Sequence, residues 1–368
     1  MANLIFLVQL RVTYFLWVVL LALGPIGCLH YGPISLKSER SKYNLAIQKT
    51  NDEQLLLNLV RLKYRDTPFF LEVGSVASQF KLKNKASITA QLESMVKDIF
   101  NLGASTSYEE SPTVSYTPLH GDDFVKNILS TLPLKTITLL FHSGWSLERV
   151  FRVSCQLLGG LENAPGASGP TPKLAPQYKE FLKAVQYLQE IDDRDALHIN
   201  YQEVNGQPQM VLQILNESKN SKSALEFART VNAVPGKSMY VLNHFPTPEQ
   251  VDHLRVVPRS FLGIMFYLSQ SIKIPKRDVL KGKVTLTKTL TGESFDWSDV
   301  TGDLLTIRSS NEEPLRSMVR IYYRNSWFYI DDSDLDSKST FSLLTQIYAL
   351  QSGAIKSTDP VLTIGVGS

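Results

Sequence analysis

Three short clusters in this chain approach the residue patterns that nucleophilic or metal chemistry requires. His142 and Ser143 stand side by side in His-Ser-Gly-Trp-Ser. A nucleophile elbow needs glycine two positions before and after the serine; Phe141 and Trp145 occupy those places, so the pair reads as a turn. His244, Asp252 and His253 carry metal-ligating groups, but their spacing fits no zinc pattern, and they read as polar loop residues. Asp332, Asp334 and Asp336 alternate as the first three ligands of a calcium loop do. Ser337, however, stands where the turn glycine belongs, and Leu343 where the bidentate glutamate belongs. Neither a phosphate-binding glycine loop nor a Rossmann fingerprint occurs. The expectation is a protein with no catalytic residue, no metal ligand and no cofactor.

The two cysteines are too few for a disulfide scaffold or a thiolate metal cluster. Cys28 follows an apolar run, VTYFLWVVLLAL from Val12 to Leu23, with Arg11 as the one charge before it. The run breaks at Gly24-Pro25 and ends in Ile26-Gly27-Cys28 without a basic stop-transfer cluster. That ending resembles a bacterial lipobox, which implies a signal peptide over 1–27, cleavage before Cys28 and acylation (palmitate among the chains) of its sulfur and new amine. Pro25 departs from the aliphatic residue usual at its position, which bears on the rate of processing. The stretch Ala2–Leu10 is too apolar for a basic leader, so the expected start codon lies a few residues downstream. An uncleaved anchor over Val12–Leu29, near the lower limit for a bilayer span, and ordinary secretion are the alternatives. Leu29, rather than Asp, follows the cysteine, and by resemblance to sorted lipoproteins this favours the outer membrane, with the body facing the periplasm. Acyl chains on Cys28 would hold it there, since two lipid signals already suffice for stable attachment. Cys155 lies in an expected helix, Ser146–Leu158, on one stripe with Leu147, Phe151 and Leu158, and reads as a small buried hydrophobe.

A chain that is 43% hydrophobic and 20% charged folds into globular structure, and a net charge of +3 leaves no nucleic-acid footprint. The pattern predicts an α+β fold of mixed helices and antiparallel strands. It divides into a lipidated tether over 28–42, an N-terminal domain over 43–162, a Gly/Pro-rich linker over 163–176 and a C-terminal domain over 177–368. Thr50 and Glu53 fit a capping box ahead of the stripe Leu55, Leu56, Leu59 and Leu62. A strand then carries Lys81, Lys83 and Lys85 on one face, which reads as a lysine-protected edge and otherwise as a contact for anionic lipid or cell-wall polymer. Ala86–Val96 is strand or helix, and GASTSYEESPTVSY reads as a hairpin turning at Glu-Glu-Ser-Pro. Ile137–Phe141 reads as a buried strand. Downstream, Gln177–Asp193 is an amphipathic helix, Leu197–Val204 and Met210–Leu215 form a hairpin at Asn205-Gly206, and helices follow at Ala224–Val231 and Phe261–Ser271. KVTLTKTL, DLLTIRSS, MVRIYYR and WFYID read as strands. The last two make an aromatic hairpin that leads into a helix capped by Asp336 or Ser337, burying Phe341, Leu344, Ile347 and Tyr348 and ending at Gly353.

Two blocks carry a family resemblance: DEQLLLNLVRLKYRDTPFFLEVGSVASQF from Asp52 to Phe80, and Leu304 to Gly353 with LLTIRSSNEEP and WFYIDDSDLDSKSTFSLLTQIYALQSG, followed by PVLTIGVGS. On these, with weaker support from SPTVSYTPLHGDDF, the chain resembles uncharacterised lipoproteins of Gram-negative bacteria. Some of these look like accessory subunits of the outer-membrane core complex of Dot/Icm-type (type IVB) secretion systems. The resemblance implies a non-enzymatic subunit of an envelope-spanning assembly whose partners are other envelope or secretion-complex proteins. The alternative is a peptidoglycan-binding or envelope-acting hydrolase lipoprotein.

Overall fold

The computed structural model describes residues 31–90, 100–118, 122–170, 172–247, 250, 253–352 and 362–365, with side chains over 41–71 and, within these ranges, over 122–352. The signal segment 1–27, Cys28, Asp252 and Gly353 lie outside the described residues. The fold is α+β, as the sequence predicts. It divides into two units, Met1–Asn51 and Asp52–Ser368.

The first described element is helix α1, Tyr31–Lys63. Most of the expected tether is therefore helical, with Gly32 and Pro33 in the first turn, where a missing N–H costs nothing. Thr50 is not a cap, because it lies inside this helix and its hydroxyl donates to the Ile47 carbonyl at 2.9 Å. Leu55, Leu56, Leu59 and Leu62 are buried as their spacing requires. Arg65, at φ 64°, ends α1: the Asp66 N–H closes back on the Arg61 carbonyl at 2.8 Å.

Two α1 side chains then fix where the next element begins. Asn58, fully buried, donates to the Phe69 carbonyl at 2.8 Å and accepts from the Phe69 N–H at 2.9 Å. Gln54 makes the same pair of bonds with Leu71. They thus stand in for a neighbouring strand at the root of hairpin β1–β2, Leu71–Ala90 and Phe100–Pro118. This hairpin is antiparallel from Leu71↔Pro118 to Ala90↔Phe100. Glu109, Glu110, Ser111 and Pro112 are not a turn: they run within β2 opposite Lys81, Phe80, Gln79 and Ser78. Ala86–Ala90 belong to β1.

After helix α2, Asp122–Leu129, the expected strand at Ile137–Phe141 is instead helix α3, Leu134–His142. Its β-branched residues suggested a strand, but Pro133 starts a helix, and Leu134, Ile137 and Thr138 are buried at helical spacing. Helix α4, Leu147–Ser154, stops earlier than predicted, and Cys155–Leu158 becomes strand β3. Cys155 is fully buried, but on a strand rather than a helical stripe.

Six strands form the central sheet: β4 (Leu161–Glu162), β3, β8 (His253–Pro258), β7 (Met239–Asn243), β6 (Gln207–Ile214) and β5 (Leu197–Val204), in that order. Only β7 and β8 run parallel. The β5–β6 turn is Asn205-Gly206, both at positive φ as a type I′ turn demands. Helices α5 (Lys179–Asp192), α6 (Lys222–Thr230) and α7 (Phe261–Ser269) complete this layer.

The expected boundary at 163–176 does not divide the chain. Strand β3, before it, pairs with β8, far beyond it, and Asn163, Ala164 and Ala167 are fully buried. Glycine and proline exclude regular elements, but they do not say whether irregular backbone is solvated. Here a short 3-10 turn, Pro165–Ser168, sets Ala167 into the core while Gly166 stays exposed.

Beyond short helices α8 (Lys276–Leu280) and α9 (Ser298–Thr301), KVTLTKTL is not a strand and carries only isolated bridges at Lys288. Of DLLTIRSS only Arg308–Ser310, β9, is one. The aromatic hairpin forms as predicted: β10, Ser317–Tyr323, and β11, Ser326–Asp331, make a second sheet in the order β10-β11-β9. Helix α10, Leu335–Ser352, buries Phe341, Leu344 and Ile347. Its cap is neither Asp336 nor Ser337 but Asp334, which accepts from the Ser337 N–H at 3.0 Å. Strand β12, Leu362–Gly365, pairs with β2 at Thr113–Tyr116.

Candidate functional site

Among the described residues, those with the right chemistry are taken up by structural contacts. His142 is the last residue of α3, and the Ser143 hydroxyl donates to the Leu139 carbonyl at 2.8 Å, so it is occupied as a helix-end cap. Asn243 donates to His253 Nδ1 at 2.9 Å, while His244 Nδ1 lies 3.2 Å from the Val256 carbonyl. Both rings thus serve the β7–β8 junction. The three aspartates of the calcium-like run diverge: Asp332 pairs with Lys338 at 2.7 Å, Asp334 caps α10, and Asp336 pairs with Arg149 at 2.8 Å. Among the described residues no group of three His, Cys, Asp or Glu is placed to hold a metal ion. A cleft of about 700 Å³ lies between β4 and the start of α5; its charged residues, Glu162, Lys179 and Glu180, are all exposed, and its Tyr178 is buried, which raises the phenol.

The most concentrated buried polar chemistry surrounds Arg259, whose guanidinium is 1% exposed. It donates to the carbonyls of Arg152 (3.2 Å), Val153 (3.3 Å), Cys155 and Asn163 and to the Ser168 hydroxyl (3.0 Å), and lies 4.0 Å over the Tyr267 ring. Burial brings it down to about 10, so it remains a cation at neutral pH. Arg152 beside it pairs with Asp303 and Glu148 at the protein's margin. Every strong donor of Arg259 is engaged by the chain itself, and the cluster knits the Gly/Pro segment to β3. Burial also pushes the Cys155 thiol up to about 11, so it has the character of a core residue.

The surface most suited to recognition is the outer face of the β10-β11-β9 sheet. Alternation sends Val319, Ile321, Phe328 and Ile330 inward, all buried, and leaves Arg320, Tyr322, Trp327 and Tyr329 on the opposite face. Tyr322, 57% exposed, lies opposite Trp327 with ring centroids 5.3 Å apart. The charges of this face are already paired: Arg320 with Glu313 at 2.8 Å and Arg308 with Asp331 at 3.8 Å. Arg320 also holds the Pro314 carbonyl at 3.1 Å, fixing a turn in which Leu315 is 96% exposed. The face therefore offers apolar and aromatic area inside a satisfied polar rim, the composition of a protein-binding patch.

This sheet is fastened to the segment that follows α1. Arg324 grips the Asp66 carboxylate at 2.9 and 3.0 Å, Tyr323 donates to it at 2.6 Å, and Arg324 stacks on Tyr64 at 4.9 Å. Burial alone would raise the Asp66 carboxyl, but these hydrogen bonds outweigh it and hold the group below the usual carboxylate range. The Tyr64 hydroxyl donates to buried Asp278 at 2.7 Å, and burial first, then that bond, raises Tyr64. The sequence showed the aromatics of the hairpin, and its alternation marks which of them face outward. Nothing local marks Asp66 as the partner of Arg324.

No family model matches the chain, and neither a curated protein nor a solved structure matches it.

Proposed function

We propose that this chain is a non-enzymatic, lipid-anchored subunit of an envelope assembly. In this reading Cys28 carries the acyl chains, the body faces the periplasm from the outer membrane, and the partners are other envelope proteins of the secretion-complex kind. The observation that carries it is the Tyr322–Trp327 face. Aromatic anchors backed by a rigid sheet, with the surrounding charges already paired, suit a persistent protein contact better than capture of a polar substrate. The structural hydrogen bonds of Ser143, His244 and His253, with the histidines at the β7–β8 junction and the serine at the end of α3, support it.

Two measurements test the reading. Palmitate labelling should disappear in Cys28→Ala; labelling that survives removes the anchor. Detergent extraction followed by native sizing should find the chain in a complex with different envelope proteins, and Tyr322→Ala with Trp327→Ala should release it without lowering its melting temperature. A free protomer that binds sacculi, or a His142→Ala chain that assembles fully yet loses function, would favour an envelope-acting hydrolase instead.

A further inference from the structure

Hairpin β1–β2 divides its residues by chemistry over eleven successive pairs, from Phe80↔Glu110 to Ala90↔Phe100. Residues two apart share a face of a strand. One face of β1 carries Lys81, Lys83, Lys85, Ser87 and Thr89, and the residues opposite them on β2 are Glu109, Ser107, Ser105, Gly103 and Asn101. None of these ten has an apolar side chain. The other face of β1 carries Phe80, Leu82, Asn84, Ala86, Ile88 and Ala90. Opposite these on β2 are Glu110, Tyr108, Thr106, Ala104, Leu102 and Phe100. This face is apolar apart from the Asn84↔Thr106 pair and Glu110 at the end nearer the body.

Its height suits one environment. At about 3.3 Å per residue the segment is about 33 Å long, and a strand tilt of about 40° reduces that to about 25 Å, the height of the apolar band of an outer-membrane barrel. Aromatic residues mark both limits, Phe80 and Tyr108 at one end and Phe100 at the other, as interfacial girdles do. The edges complete the argument. Among the described residues β1 has no partner on its outer side, and β2 has β12 only at Thr113–Tyr116. Open edges are excluded from hydrocarbon, because every N–H and C=O there needs a partner. A lone hairpin cannot span a bilayer, but several copies joined edge to edge can close.

We propose that β1–β2 is a transmembrane hairpin: its apolar face meets lipid, its edges meet the hairpins of further copies of this chain, and the Lys81–Lys83–Lys85 face lines a polar lumen. That no described helix is long and apolar enough to cross a membrane leaves such a barrel untouched. The inference shares with the proposed function only the presence of a nearby bilayer and does not require acylation of Cys28.

The test uses the full chain reconstituted in phosphatidylethanolamine–phosphatidylglycerol vesicles, with one added cysteine bearing a bimane at Leu82 or at Lys83, each in wild-type and Cys28→Ala backgrounds. Brominated lipid should quench the probe at 82 several-fold more than at 83, aqueous iodide should do the reverse, and the detergent-extracted particle should be a multimer of this chain. Ile88→Arg with Leu102→Arg should abolish the lipid quenching and leave the melting of the body unchanged. Equal iodide quenching at both positions would mean a hairpin in water, and shielding of 82 from both quenchers would mean a protein cover; either overturns the proposal, as does a single-copy particle. Alternation retained in Cys28→Ala but without palmitate on the parent chain would uphold the hairpin and sink the anchor. Palmitate without alternation would do the opposite.

Discussion

The hairpins β10–β11 and β1–β2 obey the same period-two rule with opposite consequences. In β10–β11 the apolar residues Val319, Ile321, Phe328 and Ile330 are buried within the body, where Phe341 and Ile347 of α10 also lie, and two residues at positive φ, Arg324 and Asn325, close the turn. In β1–β2 the apolar residues recur just as regularly, yet among the described residues only β12 runs along the hairpin, at Thr113–Tyr116. Alternation thus reports that one face leaves water. It does not report what receives it, which here is a core in one case and, by our inference, lipid in the other.

Mutations that empty the body should sharpen this contrast most. Phe341→Ala should cost about 4 kcal/mol, since a fully buried aromatic leaves a cavity. Thermal melting would read the loss, and a thiol reagent would report the opening: Cys155 should react slowly in the native chain and rapidly once Phe341→Ala populates open states. Arg259→Met should follow at about 3 kcal/mol, because the Asn163 carbonyl loses its guanidinium donor and the Cys155 carbonyl is left with the Asn163 side-chain amide. A loss under about 0.5 kcal/mol, the size of an ordinary surface change, would show that those carbonyls find other partners.

Asp66→Asn should cost about 1 kcal/mol at neutral pH, the worth of a partly exposed charged pair. Its dependence on pH has a definite sign. The Asp66 carboxyl lies lower in the folded chain than in the unfolded one, so its contribution is present above the unfolded value and is lost as pH falls through the folded one. Urea midpoints of wild type and variant should therefore converge in acid. A constant difference down to pH 2 would mean the ionised carboxylate is not what Asp66 contributes. The smallest effect should come from the other hairpin. Ile88→Ser with Leu102→Ser should leave the melting of the detergent-solubilised body within about 0.5 kcal/mol of wild type. A loss comparable to Phe341→Ala would break the comparison, because the hairpin would then belong to the core.

Much of this was written locally. Asn205-Gly206 placed a turn because two successive positive φ values need residues that tolerate them, and the leucine stripe of α1 and the amphipathic pattern of α5 placed buried faces. The failures share a cause. Ile137–Phe141 has strand composition, but Pro133 and the burial of Leu134 and Thr138 decide for helix. KVTLTKTL alternates well, but isolated bridges from Lys288 to Leu174 and Ser294 give it no ladder. The segment 163–176 looked like a linker because nothing within it shows that Arg259, almost a hundred residues later, supplies its donors. For the candidate site, the alternation of β10 and β11 sorted inward from outward aromatics, whereas the Asp66–Arg324 clamp depends on a meeting of distant segments that no window of sequence contains.

Strand β3 meets β4 and the Asn163 amide at once, but its other ladder, from β8, and the guanidinium of Arg259 come from residues about a hundred positions later. A chain emerging from its N-terminus, whether from a ribosome or a translocation channel, has neither until Pro258 and Arg259 are out. The leucines of α1 and Phe151 of α4 must stay unburied for all of that time, because contacts so distant in sequence form late. The buried arginine therefore sets an early limit in biogenesis: a chain truncated before it should accumulate as a chaperone client.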